Sequence, residues 1–179
     1  MMGIIETDRL LLIPYTIEYI EATLSGKKQL RDVSGYEVSS GWPGIEFYFY
    51  LPFALEELKK KPEMEKWTRL IVLKKENKII GEISVQGNSS NTWIPELGYG
   101  IVAAYSDQGF VTEAVKSFLE WLTEAQNFPL IKAKTFLKNK KSQHILKNNG
   151  FIKTGEGVIG SGEKIIKFEW RNNELEDEN

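Results

Sequence analysis

Cysteine is absent from this chain and histidine occurs once, at His144. Without thiols there is no disulfide, no thiolate metal site and no cysteine nucleophile, and one imidazole leaves little for a transition-metal site. No metal is expected. Long apolar runs are lacking too: nothing approaches the ~20 residues needed to cross a bilayer, and the opening "MMGIIETDRL" has no basic segment followed by an apolar one. The expectation is a cytoplasmic protein with no membrane partner. An excess of one charge is also missing, because 23 Lys and Arg stand against 25 Asp and Glu for a net charge of -2. That balance gives no reason to expect a nucleic-acid backbone as partner. Repeats, low-complexity linkers and composition breaks are absent, so the 179 residues, 41% of them hydrophobic, are read as one domain over 1–179.

What is present is an alternation of strand and helix signals. "DRLLLIPY" is a strand closed by Pro14, followed by "TIEYIEATLSG" as a helix with Thr16 as its cap and Gly26 as its stop. "KKQLRDVSG" is a further short helix. In "IEFYFYLPFALEELKKK" Pro52 interrupts the pattern, which predicts a helix from about Ala54 with an aromatic segment before it. "TRLIVLKK", "KIIGEISVQG" and "IPELGYGIV" read as consecutive antiparallel strands joined by "ENK" and "GNSSNT".

From Gly109 the period changes, and Val111, Val115, Phe118, Leu122 and Ala125 fall on one helical face. Glu113, Lys116 and Glu120 fall on another, with Lys116 able to pair with either acid. The strand "LIKAKTFL" follows, so a helix long enough to cross over separates two strands that can lie parallel. "NKKSQHILKNNGF" is a helix capped at Asn139 and ended at Asn149–Gly150. The strands "FIKTGEGVI" and "KIIKFEWR" close the chain around "GSG", and the acidic tail "NNELEDEN" frays. At a sheet edge, "KIIKFEW" could pair across a homodimer. The fold class is α/β: a mixed, mostly antiparallel sheet with a central parallel crossover, flanked by helices.

This order of elements, with "PELGYGI", "GFVTEAV" and "NKKSQHILKNNGF" in place, resembles the GNAT N-acetyltransferase superfamily, and within it the Rim-type ribosomal-protein N-terminal acetyltransferases. The resemblance implies transfer of acetyl from acetyl-CoA, as co-substrate, to a primary amine, either a protein N-terminus or a small amine. The cofactor would lie where the strand ending at Ile101 and Val102 splays from the next one. Its pyrophosphate would lie on the loop before the long helix. The family's loop has Gln or Arg, two free positions, Gly, one free position, then Gly or Ala; laid on Ser106 to Val111, only Gly109 matches.

Helix-start amides serve an anion whatever their side chains, so Gln108, Gly109, Phe110, Val111 and Thr112 remain the expected phosphate-binding positions. Asp107 adds a like charge near the anion, or else only caps the helix. Along "IPELGYGIV", Glu96, Gly98 and Gly100 share a nearly bare face, with Glu96 as the candidate base for the attacking amine and Glu82 as a second candidate. The resemblance places Asn139 against the pantetheine arm and Ser142 near the sulfur, where Ser142 is the candidate acid. Leu146 stands where many relatives carry a tyrosine acid. His144 reads as a surface residue. Trp42, Phe47, Tyr48, Phe49, Tyr50 and Phe53 read as core and cleft wall. The departures at Ser106, Asp107, Val111 and Leu146 leave a second reading open, a GNAT-fold binding or regulatory protein with weakened catalysis.

Overall fold

The computed structural model describes residues 3–87 and 93–173. The "GNSSNT" turn from Asn88 on, and the tail from residue 174, lie outside them. The chain divides into two compact units, Met1–Ser84 with Tyr99–Ala114, and Val85–Gly98 with Val115–Asn179.

In the first unit the strands β1 (Ile5–Glu6), β2 (Leu10–Pro14), β4 (Thr68–Leu73) and β5 (Lys78–Gly87) lie in that order, each antiparallel to the next. The two-residue strand β3 (Glu37–Val38) runs parallel to β5. The end of β6 (Pro95–Ile101) continues the antiparallel run beside β5, where Val102 donates its N–H to the Ile80 carbonyl at 2.9 Å. Strands β1 and β3 were not expected, since two residues carry no periodicity to read.

Three helices cover this unit's core: α1 (Ile17–Ser25), α2 (Lys27–Ser34) and α3 (Ile45–Lys60). The Thr16 hydroxyl accepts from the Tyr19 N–H at 3.2 Å and so caps α1, and Gly26 ends it at φ 138°, as the sequence predicts. The start of α3 corrects the expectation: the helix begins at Ile45, not Ala54, and passes through Pro52. A proline inside a helix costs ~3 kcal/mol. Against that cost stands a stripe of Phe47, Leu51, Leu55 and Leu58 at helical spacing, all packed into the core with Tyr15, Trp42 and Val72. The other four aromatics, Tyr48, Phe49, Tyr50 and Phe53, are exposed rather than core.

In the second unit the strand order is β6, β7 (Leu130–Phe136), β9 (Lys164–Arg171), β8 (Ile152–Val158). The β6–β7 pair is parallel over Glu96↔Lys132 and Leu97↔Ala133, and the other two pairs are antiparallel. The predicted fold class stands: a mixed, mostly antiparallel sheet with one parallel crossover. Strand β9, the sequence "KIIKFEW" suggested for a dimer edge, is paired on both sides, and β8 is the outer strand here.

The crossover helix α4 (Phe110–Glu120) continues as a π-helical turn at Trp121–Ala125. Val115, Phe118 and Leu122 are buried as expected, but Ala125 is exposed and Thr123 is buried in its place. The wider π turn advances the chain by less angle per residue, which moves the apolar face off a strict 3.6 period. Helix α5 (Lys140–Asn148) has its expected cap, with the Ser142 N–H donating to Asn139 Oδ1 at 3.1 Å, and Gly150 turns out of it at φ 86°.

Glu113, in the first turn of α4, is tied to the loop before β2. Thr7 donates its hydroxyl to Glu113 at 2.5 Å, while Arg9 donates its backbone N–H at 3.0 Å and its Nε–H at 2.8 Å. Burial penalises this carboxylate, but the bonds from Thr7 and Arg9 together with the Arg9 charge outweigh it and hold the carboxyl below the usual glutamate range. A carboxylate with a lowered folded-state pKa contributes stability above its unfolded value, and that stability is lost as pH falls through the folded one. We therefore expect the urea midpoint to fall on acidification below about pH 4.3, the ordinary glutamate value, and Glu113→Gln to flatten that limb. Equal acid limbs in the two proteins would refute the tie. A separate test concerns Gly81, where a Cβ would run into the Gly100 carbonyl of β6. Gly81→Ala is expected to cost about 1–3 kcal/mol in chemical denaturation, and an unchanged midpoint would refute the close approach.

Candidate active site

The turn from β6 into α4 belongs wholly to the first unit. A single 3-10 turn at Ala103–Tyr105 is followed by Ser106, whose hydroxyl donates to the Ala103 carbonyl at 2.8 Å. Asp107 is left-handed at φ 62° and Gly109 at φ 78°, which swings the chain directly into Phe110. Only glycine takes such a φ without strain, so the sequence match at Gly109 has a local reason. The Gly109 carbonyl accepts from the Glu113 N–H at 3.0 Å and closes the first turn of α4. The residue adjoining the helix is therefore Gly109. Asp107, read as sitting at the helix start, lies three positions before Phe110, outside the place of a capping residue.

Of the expected cofactor positions, Phe110 and Val111 bury their side chains, so what they can offer an anion is backbone N–H. Gln108 folds its side chain back, donating Nε2–H to the Ala104 carbonyl at 3.2 Å. Thr112 is half-buried. Ile101 ends β6, and Val102 is committed through its N–H to Ile80 and through its carbonyl to the Tyr105 N–H at 2.9 Å.

Arg9 is a residue that sequence reasoning passed over. Its Nη1–H donates to the Gln108 carbonyl at 3.0 Å and its guanidinium stacks 4.3 Å from the centre of the Phe110 ring. A Cβ on Gly109 would lie 3.4 Å from Arg9 Nη2. A guanidinium thus borders the loop although the loop itself has none. Beside it, Arg9, Lys74, Tyr105, Gln108 and Phe110 help line a groove of about 490 Å³. The only local signal was an arginine opening a strand in "ETDRLLLIP", which alone does not say where the side chain reaches.

Glu82 lies on β5 within the same unit. Its Oε2 accepts from the Trp42 indole N–H at 2.8 Å, and its Oε1 occupies the space that a Cβ on Gly100 would need. Largely buried, the carboxyl is pushed above the usual range by desolvation, and the Trp42 bond offsets only part of that shift. Gly41, next to Trp42, faces the Val102 side chain, where its Cβ would sit at 3.8 Å.

The remaining candidates belong to the second unit. Glu96 pairs with Lys134 on the neighbouring strand at 3.4 Å, with a side chain 36% exposed, so its carboxylate already has a cation and water. On α5, Asn139 uses its Oδ1 as the helix cap. Ser142 lies in the first turn and is half-buried. Leu146, at the position where the resemblance expects a tyrosine, is 1% exposed and part of the core. Gln143, not singled out in the sequence, is buried and donates to the Phe136 and Leu137 carbonyls at 3.2 and 2.9 Å, anchoring α5 to the end of β7. His144 is exposed, with Asn148 at 3.1 Å, as expected.

Comparison with known proteins bears on the fold and the family. The chain is 27% identical over 152 residues to the uncharacterized N-acetyltransferase YjdG of Bacillus subtilis, covering 84% of this chain and 90% of that protein. Ribosomal-protein-S5-alanine acetyltransferase from Vibrio fischeri superposes with a TM-score of 0.72 at 22% identity, covering 97% of this chain and 98% of that one. The microcin C7 self-immunity acetyltransferase MccE, solved with acetyl-CoA and AMP, superposes with a TM-score of 0.64 at 18% identity, covering 93% and 94%. At these identities the structures show a shared fold. The acetyltransferase (GNAT) domain family matches residues 9–152, from the arginine at the loop to the start of β8. The chain belongs to the GNAT acetyltransferase family.

Proposed function

We propose that this protein transfers acetyl from acetyl-CoA to a primary amine, by direct attack of the amine on the thioester in a ternary complex. The observation that carries the reading is the left-handed turn at Asp107 and Gly109, which opens straight into the first-turn amides of α4, groups that no carbonyl of the helix itself can accept from, with the Arg9 guanidinium beside it. In this reading the pyrophosphate is held by the amides from Gln108 to Thr112. Arg9 supplies positive charge near the anion, which offsets Asp107. Asn139 serves the pantetheine arm through its Nδ2 amide while its Oδ1 caps α5. Ser142 hands a proton to the departing thiolate, itself a tolerable leaving group near neutral pH. The amine must lose its own proton before it attacks, so a base acting directly or through water assists, and the carboxylates of Glu96 and Glu82 are the two candidates.

The acceptor class follows the relatives. A protein N-terminus is favoured by likeness to the S5-alanine enzyme and to RimL, the ribosomal L7/L12 α-N-protein acetyltransferase solved with CoA, which superposes with a TM-score of 0.65. A small amine is the alternative. The aromatic face of α3, with Phe49 and Phe53 exposed, is the surface we assign to substrate choice.

Calorimetric titration with acetyl-CoA at moderate salt is expected to give a micromolar dissociation constant. No binding of acetyl-CoA or of free CoA would end the acetyltransferase reading. Gly109→Val puts a β-branched side chain at a left-handed φ and presses on Arg9, so it should weaken acetyl-CoA by about tenfold, equivalent to about 1.4 kcal/mol, and lower the melting temperature as well. Undiminished affinity in that variant would show that the turn does not hold the cofactor.

A further inference from the structure

Within the first unit, the carboxylate of Glu82 is placed unlike any other acid of that unit. It lies over the bare backbone of Gly100, at the end of the strand that leads through Val102 to the phosphate-binding turn. One oxygen, Oε2, is fixed by the Trp42 indole. The other, Oε1, lies over the glycine and accepts no hydrogen bond from a described residue. Across β4, Glu82 stands in register with Leu70, an apolar core residue. No salt bridge engages it among the described residues, whereas Glu96 has Lys134. A purely structural role would ask only for an acceptor to the Trp42 N–H, which an amide oxygen provides equally well.

We propose that Glu82, rather than Glu96, takes the proton from the acceptor amine. The inference rests on the acetyl-transfer reading above. In the step, the ammonium gives one proton to the Glu82 carboxylate and becomes a neutral amine. The nitrogen lone pair then forms a C–N bond to the thioester carbonyl carbon. Collapse of the tetrahedral species breaks the C–S bond, Ser142 gives its hydroxyl proton to the leaving thiolate and regains one from the second N–H, and amide and CoA thiol result. Glu82 returns its proton to water. A carboxylate in water titrates too low to hold an amine's proton well. The desolvated site over Gly100 raises its basicity toward the working pH. Among the described residues the titratable group that senses it is Tyr15, just after β2, whose phenol is pushed up by burial and donates to Thr23 at 2.5 Å, so it stays neutral throughout. From β6 the facing residue is Gly100, and from the turn before α3 it is Trp42, neither of them titratable.

The test compares Glu82→Gln and Glu96→Gln with the unsubstituted protein, using acetyl-CoA and an amine that the protein acetylates. Glu82→Gln keeps the Trp42 bond and is expected to bind acetyl-CoA as before while losing about 100-fold in kcat/KM at neutral pH. The acidic limb of the unsubstituted pH profile should vanish in it, and activity should rise with pH only as the free amine does. Glu96→Gln should retain both activity and the limb. Trp42→Phe removes the donor that stabilises the carboxylate, so the limb should move to higher pH. The inference is overturned if Glu82→Gln turns over like the parent, or if the loss and the altered limb appear in Glu96→Gln instead. Failure of the unsubstituted protein to bind acetyl-CoA would be a different result, removing the transfer reading and this inference with it.

Discussion

Two absent side chains set the terms for the candidate site. Because Gly81 has no Cβ, the backbone of β6 can approach β5 until the Gly100 carbonyl stands where that Cβ would be. Because Gly100 has none, the Glu82 carboxylate can lie over the strand instead of being driven into solvent. The β4–β5 register shifts beside this point, with Ile71 opposite Gly81 and Val72 opposite Ile79, so Ile80 is an extra residue in β5. The carbonyl of that extra residue accepts from Val102, where the chain leaves the sheet for the turn. Acid, strand end and turn are thus set by one stretch of closely spaced backbone.

The turn has its own support. Glu113 gathers Thr7 and Arg9, and Arg9 then reaches the Gln108 carbonyl and the Phe110 ring. An arginine from the edge of β2 therefore stands by a loop that lacks one in its own sequence. Its side chain is 41% exposed, so its pairing with Glu113 is screened by water and contributes modestly to stability. Its orientation is another matter, because two bonds and a stacking contact hold the guanidinium plane against the loop.

Features written in a few adjacent residues were legible in the sequence. Thr16 and Asn139 cap their helices, Gly26 and Gly150 end them, and the helix between β6 and β7 makes the crossover. Pro52 misled because a strong local signal was weighed above the stripe of Phe47, Leu51, Leu55 and Leu58 that runs through it. Ala125 misled because a π turn changes the period that placed it. The candidate site was half legible. Gly109 is readable, since backbone conformation there is a local demand, whereas Asp107 as a cap falls two residues too early for a helix that begins at Phe110. Helical spacing lets Lys116 pair with Glu113, but the partner is Arg9, 104 positions away, which no helical spacing supplies. From the sequence Glu82 ranks behind Glu96 because an acid on a solvated strand face is commonplace, and whether the face is solvated cannot be read along a strand. What separates them is the space over Gly100 and the Trp42 indole in one case, and Lys134 in the other.

The account is tested most directly by measuring CoA thiol released from acetyl-CoA while primary amines are supplied one at a time, including peptides with free N-termini, a polyamine and an aminoglycoside, with mass spectrometry of each product. It predicts that release depends on one class of amine and that this amine gains a single acetyl group. Acetyl-CoA that is bound but left intact with every amine would contradict it, and would make this chain a GNAT fold used for binding.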